Sequence, residues 1–148
     1  MIAIEEAKPG DINSLIELLE LLFEQEVEFD ADRAKQRAGL QLIVDDPCVG
    51  RILVAREEGV VVGMVNLLFT VSTALGKRVA VLDDLVVSDA ARGRGLGKML
   101  MDGATRYCSG HGLARISLQT DVDNFTAQRL YESRGFTRSS MISYKKIL

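Results

Sequence analysis

Residues 85–100 of this 148-residue chain read LVVSDAARGRGLGKML, an apolar run that passes through a glycine-rich turn into a helix-forming pattern. Glycines at 93, 95 and 97 let the backbone come close to an anion, and the helix that follows points free N–H groups and its positive dipole end at it. Arg92, Arg94 and Lys98 add cationic side chains at the same place. The chemistry this spacing suits is a phosphate cradle; the plainer reading is a tight strand-to-helix turn on a basic patch. Two commoner phosphate motifs are excluded by counting. A Walker loop needs Ser or Thr after its Gly-Lys and a glycine five positions before the second one, but Met99 follows Lys98 and Arg92 holds the earlier place. A dinucleotide fingerprint would require its third glycine at Lys98 or Leu100.

Just upstream, Asp83 and Asp84 interrupt a run, residues 79–87, whose composition otherwise suits a strand buried on both faces. Two adjacent carboxylates there are costly unless they face water, a partner or a substrate. Other reactive residue types are scarce. Cys48 and Cys108 stand in no metal-ligand or redox spacing, and Cys108 falls in an apolar helical pattern that makes it a packed core thiol. The single histidine, His111, lies in the turn SGHG and reads as a solvent-facing helix cap.

The elements that must position these residues follow from periodicity. Residues 1–7 alternate as an edge strand, and Pro9, Gly10 and Asp11 stop it and cap a helix carrying Ile12, Leu15, Ile16, Leu19, Leu22 and Phe23 on one stripe. A second helix is expected from Asp32 to about Val44, ended by Pro47, after the acidic connection FEQEVEFDAD. Residues 51–56 and 60–71 are β-rich and joined by Glu57, Glu58 and Gly59, which predicts an antiparallel hairpin. The run 79–87 is the next strand. A helix then begins at Leu96 and ends at Gly110 and Gly112, residues 114–120 form a strand, residues 124–134 a helix closed by Gly135, and residues 141–147 a final strand. The order β-α-α-β-β-β-α-β-α-β, without repeat or linker, predicts one domain over residues 1–148, a mixed sheet covered by helices.

Composition narrows the function classes. With 47% hydrophobic and 26% charged residues the chain is that of a globular protein. No run approaches a membrane span, and the first residues carry no basic region followed by an apolar stretch, so a cytoplasmic protein without membrane association is expected. A net charge of -3 and the lack of aromatic-basic interleaving disfavour nucleic acid as a partner.

Residues 92–97 read Arg-x-x-Gly-x-Gly between a strand and a helix, and residues 124–136 read NFTAQRLYESRGF. Together, in this order and about 30 residues apart, they resemble the two signature motifs of the GNAT superfamily of acetyltransferases, and the element order matches that family over nearly the whole chain. The resemblance implies an α/β fold with a mixed, mostly antiparallel central sheet flanked by helices, and acetyl-CoA as cosubstrate. It implies that the backbone of Leu85, Val86 and Val87 pairs with the pantetheine arm like an added strand. The turn formed by Arg92, Gly93, Arg94, Gly95, Leu96, Gly97 and Lys98 would then bind the pyrophosphate. Asn124 and Ala127 match the second motif's cofactor-contacting start, and Tyr131 matches the tyrosine placed near the sulfur as hydrogen-bond donor or general acid. Asn124 is also a good N-cap for any helix, and Tyr131 also suits a core position.

The implied reaction is transfer of acetyl to a primary amine by direct attack, with no acyl-enzyme, metal or second cofactor; a non-catalytic acetyl-CoA-binding module acting as sensor or scaffold is the alternative. Freeing the lone pair of an alkylammonium of pKa near 10.4 at pH 7 costs about 4.6 kcal/mol, which a positioned base relieves in part. Asp83 and Asp84 stand where the family places such a carboxylate. A bulge common in this strand keeps simple alternation from deciding between them, with Asp83 ranked first. Glu24, Glu26, Glu28, Asp30 and Asp32, between the first two helices, suggest a cationic small-molecule or peptide acceptor, or else a solvated acidic face. The resemblance also admits a homodimer.

Overall fold

A computed structural model of the protein describes residues 1–25 and 32–148. Glu26, Glu28 and Asp30 of the acidic connection lie outside the described residues. The chain runs β1 (Ile2–Glu6), α1 (Ile12–Gln25), α2 (Arg33–Asp45), β2 (Gly50–Glu57), β3 (Val60–Ser72), β4 (Lys77–Val87), α3 (Leu96–Gly110), β5 (Ile116–Leu118) and α4 (Phe125–Ser133). One sheet in the order β1-β2-β3-β4-β5 is antiparallel throughout except for the parallel β4–β5 pair.

Local chemistry accounts for the element ends. The β2–β3 connection turns on Glu58 (φ 50°) and Gly59 (φ 82°), the two positive angles of a turn whose twist matches that of the flanking strands. Asp32 caps α2, its carboxylate accepting from the Lys35 N–H at 3.1 Å. On α1, Ile12, Leu15, Ile16 and Leu19 recur at helical spacing and all are buried.

The sheet separates two cores. Leu53, Ala55, Val65, Leu67, Ala80 and Leu82 pack against Leu96, Leu100, Met101, Ala104 and Cys108 of α3, while Ile52, Val54, Met64 and Val86 pack against α1 and Leu40 of α2. Gly103 explains how α3 approaches so closely, since a Cβ there would lie 2.7 Å from Ile4 Cγ2. Truncating the fully buried Leu100 to alanine would cost about 2–5 kcal/mol.

One expected element is absent. Residues 141–147 form no strand, and Met141, Ile142, Tyr144 and Ile147 are exposed. The segment reads Met-Ile-Ser-Tyr-Lys-Lys-Ile, which places no consistent apolar stripe on either face of a strand, and β5 itself is only three residues long. The tail meets that region through a side chain instead, Gln119 Nε2 donating to Ser143 Oγ at 2.9 Å. Among the described residues no helix is long and apolar enough to cross a membrane.

Candidate functional site

The decisive local feature is a bulge in β4. Asn66 of β3 pairs with Asp83 and Met64 pairs with Val86, so the single residue Val65 faces two residues, Asp84 and Leu85. Asp84 takes φ 51°, the left-handed region that aspartate tolerates better than most side chains. Parity along the strand changes there. Before the bulge, Ala80 and Leu82 face α3; after it, Leu85 and Val87 do, and Val86 faces the α1/α2 core. Adjacent residues of a regular strand point to opposite faces. Here Asp83 and Asp84 both line one cavity, of about 340 Å³, between α1, α2 and strands β3 and β4.

That cavity is walled by Leu19 and Phe23 of α1, Gln36, Gly39, Leu40 and Ile43 along one stripe of α2, and Asn66 and Leu68 of β3, with Asp32 and Lys35 also lining it. Asn66 is 2% exposed and donates from Nδ2 to Asp84 Oδ2 at 2.7 Å. Asp83 Oδ1 accepts from the backbone N–H of Asp84 at 3.1 Å. The two carboxylates are thus oriented by separate donors, Asp83 in the open and Asp84 half-buried.

Next to the carboxylates the sheet opens. β4 pairs with β5 only from Ala80 to Leu82, whereas Val86 and Val87 pair on the β3 side alone. The backbone edge at Leu85, Val86 and Val87 therefore faces no strand among the described residues. Immediately beyond it, Gly93 and Gly95 both take φ 78°, and Gly95 is the N-cap of α3 with no side-chain cap bond. The first N–H groups of α3 have no acceptor within the helix, and nothing lies within 4 Å of where a Cβ on Gly93 or Gly95 would stand. This open, donor-rich turn fits an anionic group. Gly97, Leu96 and Lys98 open α3 itself. Arg92 pairs with Asp89 at 3.2 Å, and Arg94 forks onto Glu57 of the β2–β3 hairpin, holding that carboxyl below its ordinary range through the hydrogen bonds of the guanidinium.

The second motif lies on α4, outside the cavity wall. Asn124 caps this helix, its Oδ1 accepting from the Ala127 N–H at 3.2 Å. Tyr131 is half-buried against the α3-side core that also holds Leu85 and Val87, with its ring 6.1 Å from that of Phe136. α4 meets the cradle through Leu130, whose Cδ2 would lie 3.3 Å from a Cβ at Gly97.

Neither cysteine lines the cavity. Cys108 is buried in α3, and burial pushes its thiol up to about 11. His111 ends α3 in the open, with Nδ1 2.7 Å from the Tyr107 carbonyl oxygen. Among the described residues no group of three His, Cys, Asp or Glu could hold a metal ion.

Two residues of the cavity escaped the sequence reading. Asn66 stood out as the one amide within the apolar run VVVGMVNLLFTV, a signal that buried polar side chains need partners. Gln36 offered none, because glutamine is ordinary on a helix surface.

The profile of the acetyltransferase (GNAT) family matches residues 12–136. The "uncharacterized N-acetyltransferase YhfO" of Bacillus subtilis (strain 168) is 38% identical over 85 residues, 57% of this chain and 57% of that protein. The curated relatives are longer than the matched stretch, which spans from 57% down to 16% of their length. Among solved structures, a "possible acetyltransferase" from Clostridium difficile 630 superimposes with a TM-score of 0.90 at 17% identity, covering 100% of this chain and 98% of that one. Glucosamine-6-phosphate N-acetyltransferase from Arabidopsis thaliana gives 0.78 at 21% identity, covering 99% and 98%. At these identities the two structures speak for the fold alone.

Proposed function

Because the chain belongs to the GNAT acetyltransferase family, we propose that residues 1–148 act as one domain that moves an acetyl group from acetyl-CoA to a primary amine bound in the cavity beside Asp83 and Asp84. The observation that carries this reading is the β4 bulge. It turns both carboxylates toward one cavity and ends where the backbone edge of Leu85, Val86 and Val87, which pairs with no further strand among the described residues, begins.

In this reading the pantetheine arm of acetyl-CoA adds to that edge as a short strand, its amides exchanging hydrogen bonds with the β4 backbone. The pyrophosphate lies on the N–H groups of Arg94 to Lys98, at the positive end of α3. The thioester then faces the cavity. Asp83, directly or through one water, takes a proton from the ammonium of the acceptor, and the freed lone pair adds to the thioester carbonyl carbon. As the C–S bond breaks, charge grows on sulfur and the Tyr131 hydroxyl hydrogen-bonds to it. The second proton that the attacking nitrogen must lose goes to the sulfur, directly or through Tyr131, which ends neutral. The products are the N-acetylated amine and the free thiol of coenzyme A. Direct attack is favoured over an acyl-enzyme because Cys108, with its thiol pushed up to about 11, holds almost no thiolate at neutral pH and lies in the α3 core.

The test is to mix the protein with acetyl-CoA and a panel of primary amines and to follow thiol release together with the mass of the acceptor. Thiol release that depends on amine and matches N-acetylated product one to one is expected. Tight acetyl-CoA binding with no turnover on any amine would instead make the protein a binding module, and amine-independent thiol release would make it a hydrolase.

A further inference from the structure

The turn that opens α3 has little backbone bonding of its own. No N–H from Gly93 to Lys98 donates to a main-chain carbonyl among the described residues, and the first bond of the helix runs from the Met99 N–H to the Gly95 carbonyl at 3.1 Å. Gly93 and Gly95, both at φ 78°, bring no side chain that could pack. Such a stretch loses much conformational entropy when an anion fixes it, glycine most of all. The residue between the two glycines ties it to the rest of the protein. Arg94 Nη1 donates to Glu57 Oε1 at 3.0 Å and Nη2 donates to Oε2, a planar fork on one carboxylate.

Glu57 stands on a well-anchored end of the β2–β3 hairpin. It closes β2 and pairs with Val60 across the turn of Glu58 and Gly59. Next along β3, Val62 is an extra residue, since Ala55 pairs with Gly63 and Arg56 with Val61. A bulge of this kind bends its strand, and the Val62 carbonyl accepts from the Ser88 N–H at 2.8 Å, joining the hairpin to the chain where β4 ends. A Cβ on Gly63 would lie 3.1 Å from Leu100 Cδ1, so β3 and α3 also meet closely here. The hairpin end is thus fixed to both elements that the glycine turn connects.

We propose that Glu57 is a positioning residue for the cosubstrate: through Arg94 it holds the turn ready for the pyrophosphate before that group arrives. This rests on the transferase reading above, which makes the turn the cradle. It reverses what charge alone predicts. A carboxylate near a bound pyrophosphate repels it, so loss of Glu57 would tighten binding if Arg94 were simply a phosphate ligand released from its partner. As the far end of a strut, Glu57 has the opposite effect. Without it the turn disperses in the free protein, and binding must order it again. The strength of the fork limits the size of this effect. Arg94 and Glu57 are 45% and 27% exposed, so the pair transmits a modest factor, about three- to tenfold.

Calorimetry of coenzyme A at physiological salt, where repulsion between exposed charges is screened, tests this with Glu57→Gln and Arg94→Lys. Glu57→Gln is expected to weaken binding about threefold or more although it removes a negative charge. Arg94→Lys, which keeps the charge but not the planar fork, should weaken it as well. With acetyl-CoA in steady state, its KM should rise while kcat and the KM of the amine stay near those of the parent, a split that general destabilisation would not give. In the unliganded protein, 15N order parameters of the Gly93 and Gly95 amides should fall in Glu57→Gln from about 0.85 toward 0.6 or below. Affinity unchanged or tighter in Glu57→Gln, or order parameters equal to those of the parent, overturns the proposal and leaves the transferase reading standing. No binding of coenzyme A by the parent would sink that reading, and the cosubstrate role of the fork with it.

Discussion

Asn66 and Asp84 are joined across the β3–β4 ladder by a hydrogen bond of 2.7 Å, the amide Nδ2 donating to carboxylate Oδ2. The bond falls at the bulge, so it orients the Asp84 carboxylate and helps hold its left-handed backbone at once. Asp83, oriented among the described residues by a backbone N–H alone and more exposed, is the better placed of the two to accept a proton and pass it on.

That difference gives the first expectation. Asp83→Asn should lower the rate by about 100-fold or more, with the loss shrinking as pH approaches the amine's own pKa, as befits a lost general base. Asp84→Asn, which keeps the left-handed preference, should cost less and show no such recovery with pH. Rate profiles of both variants decide it; equal, pH-independent losses would assign both carboxylates a structural role.

The cradle can be tested through Gly95, whose φ of 78° and open surroundings matter separately. Gly95→Ala should lower stability by about 1 kcal/mol through backbone strain, read as a shift in thermal midpoint. Gly95→Glu should in addition abolish acetyl-CoA binding, because its carboxylate repels the pyrophosphate. Unchanged calorimetric affinity in folded Gly95→Glu would remove the cradle from the binding site.

Tyr131→Phe is expected to lower turnover by about 10- to 100-fold while acetyl-CoA affinity stays near that of the parent. A phenol near pKa 10 donating fully to a thiolate whose conjugate acid lies near 8.5 is uphill by about 2 kcal/mol, so a charge-assisted hydrogen bond worth about 1.5–3 kcal/mol is the contribution at stake. Wild-type turnover, measured where chemistry limits the rate, would leave Tyr131 a packing residue beside Phe136.

Gly39 faces the cavity from the middle of α2, and a Cβ on it would meet nothing within 4 Å. Gly39→Ala should therefore raise stability by about 0.5–1 kcal/mol, the usual gain of replacing a mid-helix glycine. Gly39→Leu should fill the acceptor space and raise KM for the amine with little change in KM for acetyl-CoA. Both follow from denaturation midpoints and steady-state kinetics; an equal rise in the two KM values would contradict the division of the site.

A pH effect on stability should come from Asp11. Arg56 Nη2 donates to Asp11 Oδ2 at 2.8 Å, and this hydrogen bond, more than any other influence, holds the carboxyl below its ordinary value of 3.8. A depressed folded-state pKa contributes stability that is complete above the unfolded value and is lost as pH falls through the folded one. Asp11→Asn should therefore destabilise by about 1–3 kcal/mol at pH 7 and flatten the acid limb below about pH 4. A denaturant midpoint that falls as steeply with acid in the variant would place the titrating group elsewhere.

The sequence showed what is local and concealed what is paired. The turn at Glu58 and Gly59, the apolar stripes of α1 and α3, and the glycines at 93 and 95 each depend on neighbours within one or two turns of chain, so periodicity and φ preference reveal them. The bulge was foreshadowed by the family resemblance alone and not by periodicity, because an extra residue on β4 exists only relative to β3, some twenty positions away. The same reason explains residues 141–147, where β-prone side chains could pair only with β5, which is three residues long. It also explains Gln36, whose burial is decided by what α1 and the sheet leave uncovered.

The bulge has a bearing on how this strand tolerates change in length. Counting along β4 without Asp84, the side chains of Leu82, Asp83, Leu85, Val86 and Val87 alternate as an uninterrupted strand would, and each already meets its partner on β3 or its core. Asp84 is thus a supernumerary residue. Indels inside a central strand ordinarily scramble every position beyond them, yet excision of this one would leave both cores in phase and subtract a single carboxylate. Chain length at this position can vary by one without a change of architecture, and the acid content of the cavity varies with it.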